Sequence, residues 1–143
     1  MSGRTARVAA FDDLDTRTAY ALWQLRESVF VVEQTCAYQE LDGRDLEPGT
    51  RHLWVEDHGR PVAYLRILED PGVARIGRVL VAASHRGQGL ARVLMSQALD
   101  QLGERPSTLD AQSYLVAWYT TLGYRPTGPE FLDDGIPHVP MRR

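Results

Sequence analysis

The chain has 143 residues, a formal net charge of −3, and 43% hydrophobic against 24% charged residues, which suits one folded domain and excludes a disordered or fibrous polymer. Lys and Arg total 16 against 19 Asp and Glu, with no long basic run, so nucleic acid is not expected as the main partner. Cys36 is the only cysteine and the histidines at 52, 58, 85 and 138 are dispersed, which excludes an internal disulfide and speaks against a thiolate metal site. No segment approaches the ~18 apolar residues of a membrane span, and Met1 to Ala10 lacks the apolar core of a signal peptide, so a cytoplasmic protein with no membrane partner is expected.

Thr5 to Phe11 reads as an opening strand, and Asp12, Asp13 and Asp15 as acidic N-cap candidates for a helix from about Thr16 to Phe30, with Tyr20, Trp23 and Leu25 on its apolar side. The β-branched run Val29-Phe30-Val31-Val32 predicts that this helix ends or bends there. Gln34 to Gly49, carrying Glu40, Asp42, Arg44, Asp45 and Glu47, is longer than an ordinary connection, which favours a functional loop. His52 to Glu56 and Val62 to Leu68 read as strands around a turn at Asp57 to Pro61, and Ala74 to Ala82 as a third. Leu90, Ala91, Leu94, Met95, Ala98, Leu99 and Leu102 then share one side of a helix that should pack on the sheet. A strand at Ser107 to Ala111, a helix from about Gln112 to Leu122, a turn at Gly123, and strands through Phe131 and His138 to Met141 complete a mixed α/β sheet.

The stretch Arg86-Gly87-Gln88-Gly89-Leu90-Ala91 follows an apolar run and opens the amphipathic helix. Glycines allow backbone N–H groups to approach an anion closely, and a helix start adds its positive dipole end. An ordinary tight turn would read the same way. Arg92 stands where a dinucleotide fold needs its third glycine, and no Lys-Ser or Lys-Thr follows as in a nucleoside-triphosphate loop.

Val81 followed by Arg86-Gly87-Gln88-Gly89-Leu90-Ala91 resembles the acyl-CoA pyrophosphate motif of the GNAT N-acetyltransferases. Gln112 to Tyr119 and Leu122-Gly123-Tyr124 look like that superfamily's later helix and Tyr-x-x-x-Gly-aromatic signature. Leu25-Arg26, Val29 to Gln34, Asp42-Gly43, His52-Leu53-Trp54, Ala63 to Arg66, Ile76 to Val79 and Asp134 to His138 resemble its ElaA-like branch. The resemblance spans nearly the entire chain. It implies a single GNAT domain over residues 1–143, an α/β fold with a mixed, mostly antiparallel sheet flanked by helices, and an acetyl-CoA-dependent N-acyltransferase.

By that resemblance the pyrophosphate rests on backbone groups of Arg86, Gly87, Gln88, Gly89, Leu90 and Ala91, and pantetheine lies along Val79, Leu80 and Val81. The Val81 N–H is the candidate to polarise the thioester carbonyl. Those three strand residues are equally readable as sheet core. Gln112 stands where many members carry Asn contacting pantetheine or a water, and its longer side chain makes that contact less certain. Tyr119 matches the proton donor to the leaving thiolate, against a plain helix aromatic.

The amine must shed a proton, and Glu33, just after the first helix, is the leading base, weighed evenly against a salt bridge. Glu40, Asp42, His52 and His138 are weaker candidates, and proximity alone could suffice. Arg26 and Arg66 are expected in buried pairs with Glu33 or Asp42, or else on an anionic group of the acceptor. Cys36, next to the acceptor loop, is read as a small buried thiol. No metal is expected, the acceptor is a small-molecule or peptide amine, and the protein is a monomer or homodimer. The alternatives are an acyl-homoserine-lactone synthase, whose first helix also ends in an Arg-x-x-Val-Phe-like arrangement, and a non-catalytic acyl-CoA sensor.

Overall fold

A computed structural model describes residues 4–35 and 39–143; Cys36 lies outside them. The first strand is shorter than its pattern, β1 (Arg7–Ala9), and Phe11–Asp13 forms a 3-10 turn rather than a cap. Only Asp15 caps α1 (Thr16–Arg26), its Oδ1 accepting from the Thr18 N–H at 2.7 Å. Tyr20 is 71% exposed, so it does not belong to the buried side of that helix, which is carried by Leu22 and Arg26.

Regular α geometry ends at Arg26, ahead of the β-branched run. From Glu27 to Glu33 the chain widens into π geometry, closed by the Gln34 N–H donating to the Val29 carbonyl five residues back at 3.1 Å. The extra residue in the turn leaves Val29 and Phe30 buried and Val32 exposed.

The strands β2 (Arg51–Asp57), β3 (Arg60–Asp70) and β4 (Val73–Val81) form an antiparallel meander. Then follow α2 (Leu90–Leu102), β5 (Ser107–Gln112), α3 (Val116–Thr120), β6 (Arg125–Pro126), β7 (Phe131–Asp133) and β8 (Ile136–Arg142). All strands join one sheet in the order β1-β2-β3-β4-β5-β8-β6, with β7 pairing β8. Pairing is antiparallel except between β4 and β5, where the α2 crossover makes it parallel. The sheet is therefore mixed and mostly antiparallel, as expected, with helices flanking it.

Strand alternation divides the core. Leu53, Val55, Ala63, Leu65, Leu109, Ala111 and Met141 pack on one face with Leu90, Leu94, Met95 and Ala98 of α2. Trp54, Tyr64 and Leu80 face the other way, onto Leu22, Val29 and Phe30. Gln112 follows the alternation of β5 to its end opposite His138, and so terminates a strand instead of starting a helix. A 3-10 turn (Ser113–Leu115) separates it from α3.

Candidate active site

The site originates in an irregularity of β4. Tyr64 pairs Leu80 and Arg66 pairs Gly77, so β4 carries one residue more than β3 across this interval, a β-bulge. Arg78 holds the strain with φ +54, a conformation costly for a residue with a Cβ. Its guanidinium is tied down by the Glu40 carboxylate at 3.0 Å and the Glu40 carbonyl at 3.1 Å. On the other edge of β4 the parallel ladder contains only Ala74↔Ser107 and Arg75↔Thr108. Past Arg75 the two strands part, leaving the edge of β4 from Gly77 to Val81 facing a gap rather than β5.

Two chambers open from that gap. One, of about 460 Å³, runs past Val79, Leu80 and Val81 to Arg86, Gly87, Gly89, Leu90 and Ala91, with Tyr114, Leu115, Trp118 and Tyr119 on its opposite wall. Gly87 and Gly89 have φ of +79 and +76, and Gly89 is the N-cap of α2. A Cβ built on either would meet no protein atom within 4 Å, so the space above this turn is open to a ligand. The donor set fits a diphosphate: backbone N–H groups at a 13-residue helix start, with an arginine beside them.

The second chamber, of about 340 Å³, lies on the sheet face that α1 leaves uncovered, among Arg66, Arg75, Gly77, Arg78, Asp110, Asp133, Asp134 and His138. Phe30, Gln34, Val79, Gln112, Leu115 and Tyr119 line both. The chambers thus meet at Tyr119, beside the parted strands. Tyr119 is 5% exposed, with its ring edge-on to Trp118 and Tyr124 at 4.9 and 6.1 Å. Burial, and the neighbouring Tyr124 and Tyr114, push its pKa up, so the phenol keeps its proton and remains a donor.

Glu33 lines the glycine-turn chamber but not the second one. Its two oxygens accept from Arg86 Nη1 and Nη2 at 2.7 and 2.8 Å, while Arg86 Nε donates to the Val81 carbonyl at 3.1 Å. The Arg86 hydrogen bonds hold the Glu33 carboxyl below the usual carboxylate range, which makes it a weaker base. Of the lesser candidates, Glu40 is held by Arg26, Asp42 by Arg66 and His52 by the Tyr64 hydroxyl. His138 alone among them lines a chamber.

Arg26 and Arg66 do form buried pairs, though not with Glu33. Arg26 donates to Glu40 Oε2 at 2.6 Å and Asp45 Oδ1 at 2.7 Å. Arg66 donates to Asp42 Oδ2 at 2.6 Å and Asp45 Oδ1 at 3.0 Å. His52 sits between the Tyr64 hydroxyl at 2.6 Å and the Asp45 carbonyl at 3.2 Å. Burial, aided by the charges of Arg26 and Arg66, depresses its pKa against the opposing pull of Asp45. Burial raises the Asp42 carboxyl, but the Arg66 hydrogen bond, the Arg44 N–H and the charges of Arg66 and Arg78 outweigh it, leaving the pKa lowered. Carboxylates therefore hold both arginines, though the buried Arg66 Nε has no hydrogen-bond partner among the described residues.

The sequence reading did not single out the walls contributed by Phe30, Gln34, Tyr114, Leu115 and Trp118, or the bulge residue Arg78. Leu115 and Trp118 lie three apart across the turn into α3, a spacing that could have marked them as one wall. Arg78 falls in the stretch Ile76 to Val79 that carries the family resemblance, but its left-handed backbone is not marked, because a strained residue with a side chain looks like any other strand residue.

The domain family described as "Acetyltransferase (GNAT) domain" matches residues 17–143. The UPF0039 protein Rv2851c of Mycobacterium tuberculosis is 50% identical over 136 residues, covering 92% of this chain and 87% of that protein. An acyl-CoA N-acyltransferase from Pseudomonas aeruginosa superposes with a TM-score of 0.92 at 42% identity, covering 99% of both chains. Escherichia coli ElaA does so at 0.92 and 37% identity, covering 98% of this chain and 99% of that one. With a bulged strand, a glycine turn at a helix start and matches of this extent, the chain belongs to the GNAT acyltransferase family and is ElaA-like.

Proposed function

We propose that this GNAT-family acyltransferase is a cytoplasmic, single-domain N-acetyltransferase, moving the acetyl group of acetyl-CoA to a primary amine of a small molecule or peptide by direct attack. The observation that carries this reading is the meeting of two chambers at Tyr119, one suited to a diphosphate and a narrow arm, the other open to an acceptor. In it, Arg86 to Ala91 hold the diphosphate, the parted edge from Val79 to Val81 pairs with the pantetheine amides, and Gln112 supports that arm from the end of β5. The Val81 N–H polarises the thioester carbonyl, the amine nitrogen bonds to that carbon as the C–S bond breaks, and the Tyr119 hydroxyl protonates the departing sulfur. Glu33 positions Arg86 at the mouth of the donor chamber. No metal enters the scheme.

The test is a panel of amines and peptides read by thiol release, with Tyr119→Phe as the control. Wild-type release with a defined amine, lowered about 100-fold in the variant at unchanged acetyl-CoA affinity, supports the reading; that factor corresponds to about 2.7 kcal/mol of transition-state stabilisation. Acetyl-CoA binding with no release across the panel would instead make the protein an acyl-CoA sensor. Thermal protection by S-adenosylmethionine would favour a homoserine-lactone synthase.

A further inference from the structure

We infer that His138 is the catalytic base of the acceptor chamber, taking the proton that the incoming ammonium must lose; this rests on the transfer proposed above. His138 lies on β8 directly opposite Gln112, one of the residues at which the two chambers meet, and it lines the acceptor side. Its Nδ1 is 2.7 Å from the Ile136 carbonyl oxygen. A carbonyl only accepts, so the proton sits on Nδ1, and the neutral ring carries its lone pair on Nε2. Phe131 stacks on the imidazole with centroids 5.8 Å apart and planes at 26°, which fixes the plane of the ring. A base needs such a tautomer and such an orientation. Glu33 has neither advantage, being held by Arg86 on the donor side.

The step balances. Nε2 accepts one proton from the ammonium; the freed lone pair forms the C–N bond as the C–S bond breaks, and Tyr119 supplies the sulfur's proton. The amide nitrogen sheds its second proton to solvent, through which Tyr119 is reprotonated, and His138 then releases its proton to solvent as the net proton of the reaction. The ionisable groups sharing the chamber with His138 are Arg66 from β3, Arg75 and Arg78 from β4, Asp110 from β5, Asp133 and Asp134 at the β7 turn, and Tyr119 from α3. Arg75 is paired with Asp110, and Arg66 with Asp42 and Asp45.

The decisive variant is His138→Asn, whose amide N–H keeps a donor near the Nδ1 position while removing the Nε2 lone pair. Turnover with the best primary amine of the panel is expected to fall about 100-fold or more, with the acid-side limb of the kcat/KM profile abolished and acetyl-CoA affinity and unfolding midpoint unchanged. Transfer to hydroxylamine, already neutral at the assay pH, should stay within about threefold of wild type. If the Asn variant unfolds, His138→Gln serves the same comparison. Turnover within about threefold of wild type with the limb intact, or equal loss with both acceptors, overturns the assignment while leaving the acetyltransferase reading in place. A wild-type protein that binds acetyl-CoA and transfers to neither acceptor overturns both.

Discussion

A carboxylate gripped by a guanidinium gives up basicity in exchange for position, and Glu33 is in that state. Glu33→Gln should therefore leave the pH profile of kcat/KM unchanged and alter mainly KM for acetyl-CoA, because it releases Arg86 without touching the acceptor chamber. Steady-state kinetics on both substrates separates the two effects. His52 carries a different prediction. Its folded-state pKa is depressed, so the unfolded chain binds the proton more readily, and the native state loses stability as pH falls through the ordinary histidine value of about 6.5. Urea unfolding at pH 7.5 and 5.5 should show this loss in wild type and a smaller one in His52→Gln. Asp42 adds its own loss further down, below the ordinary carboxylate range and towards its lowered folded value.

At the level of elements, the buried arginines act as fasteners. Arg26, at the end of α1, reaches Glu40 and Asp45, and Arg66 of β3 shares Asp45, so the loop before β2 is bound to both helix and sheet. Arg26→Ala would empty a fully buried site and leave Glu40 to Arg78 and Asp45 to Arg66, and should cost about 3 kcal/mol in urea unfolding, whereas Arg17→Ala, on the first turn of the same helix, should change stability by less than about 0.5 kcal/mol. The helix α2 and the strands of the meander were legible from the apolar pattern of Leu90 to Leu102 and of His52 to Leu68, and the glycine turn from its residues; the strand order was not read. Of the arginine partners, Asp42 on Arg66 was expected, whereas Glu40 and Asp45 on Arg26 and Glu33 on Arg86 were not: the first two sit in an irregular loop, and Glu33 is 53 residues from Arg86. Only the path of the chain through π geometry and the β4 bulge brings them together. The donor half of the site was readable from Arg86 to Ala91. Of the acceptor half only His138 was named, because its lining is gathered from β3, the bulged stretch Arg75 to Val79 of β4, β5 and the turn from Asp133 to Ile136, which no single motif joins.

For the whole molecule, acetyl-CoA binding links chemistry to stability. At a hundred times its Kd the ligand should add about 2.7 kcal/mol, read as a raised unfolding midpoint, and Gly89→Ala should lose part of that gain by forcing a Cβ into a left-handed position. The parted strands carry a mechanical consequence. The meander of β1 to β4 and the block of β5 to β8 share a ladder of only two residue pairs, Ala74 with Ser107 and Arg75 with Thr108, and those pairs lie at one end of the strands. The core under α2 still spans both parts, so the edge beyond Arg75 is where ladder bonds are missing. Amide exchange at the parted end of β5 should therefore be faster than in β3 and slow when acetyl-CoA fills the gap and pairs with the free edge of β4.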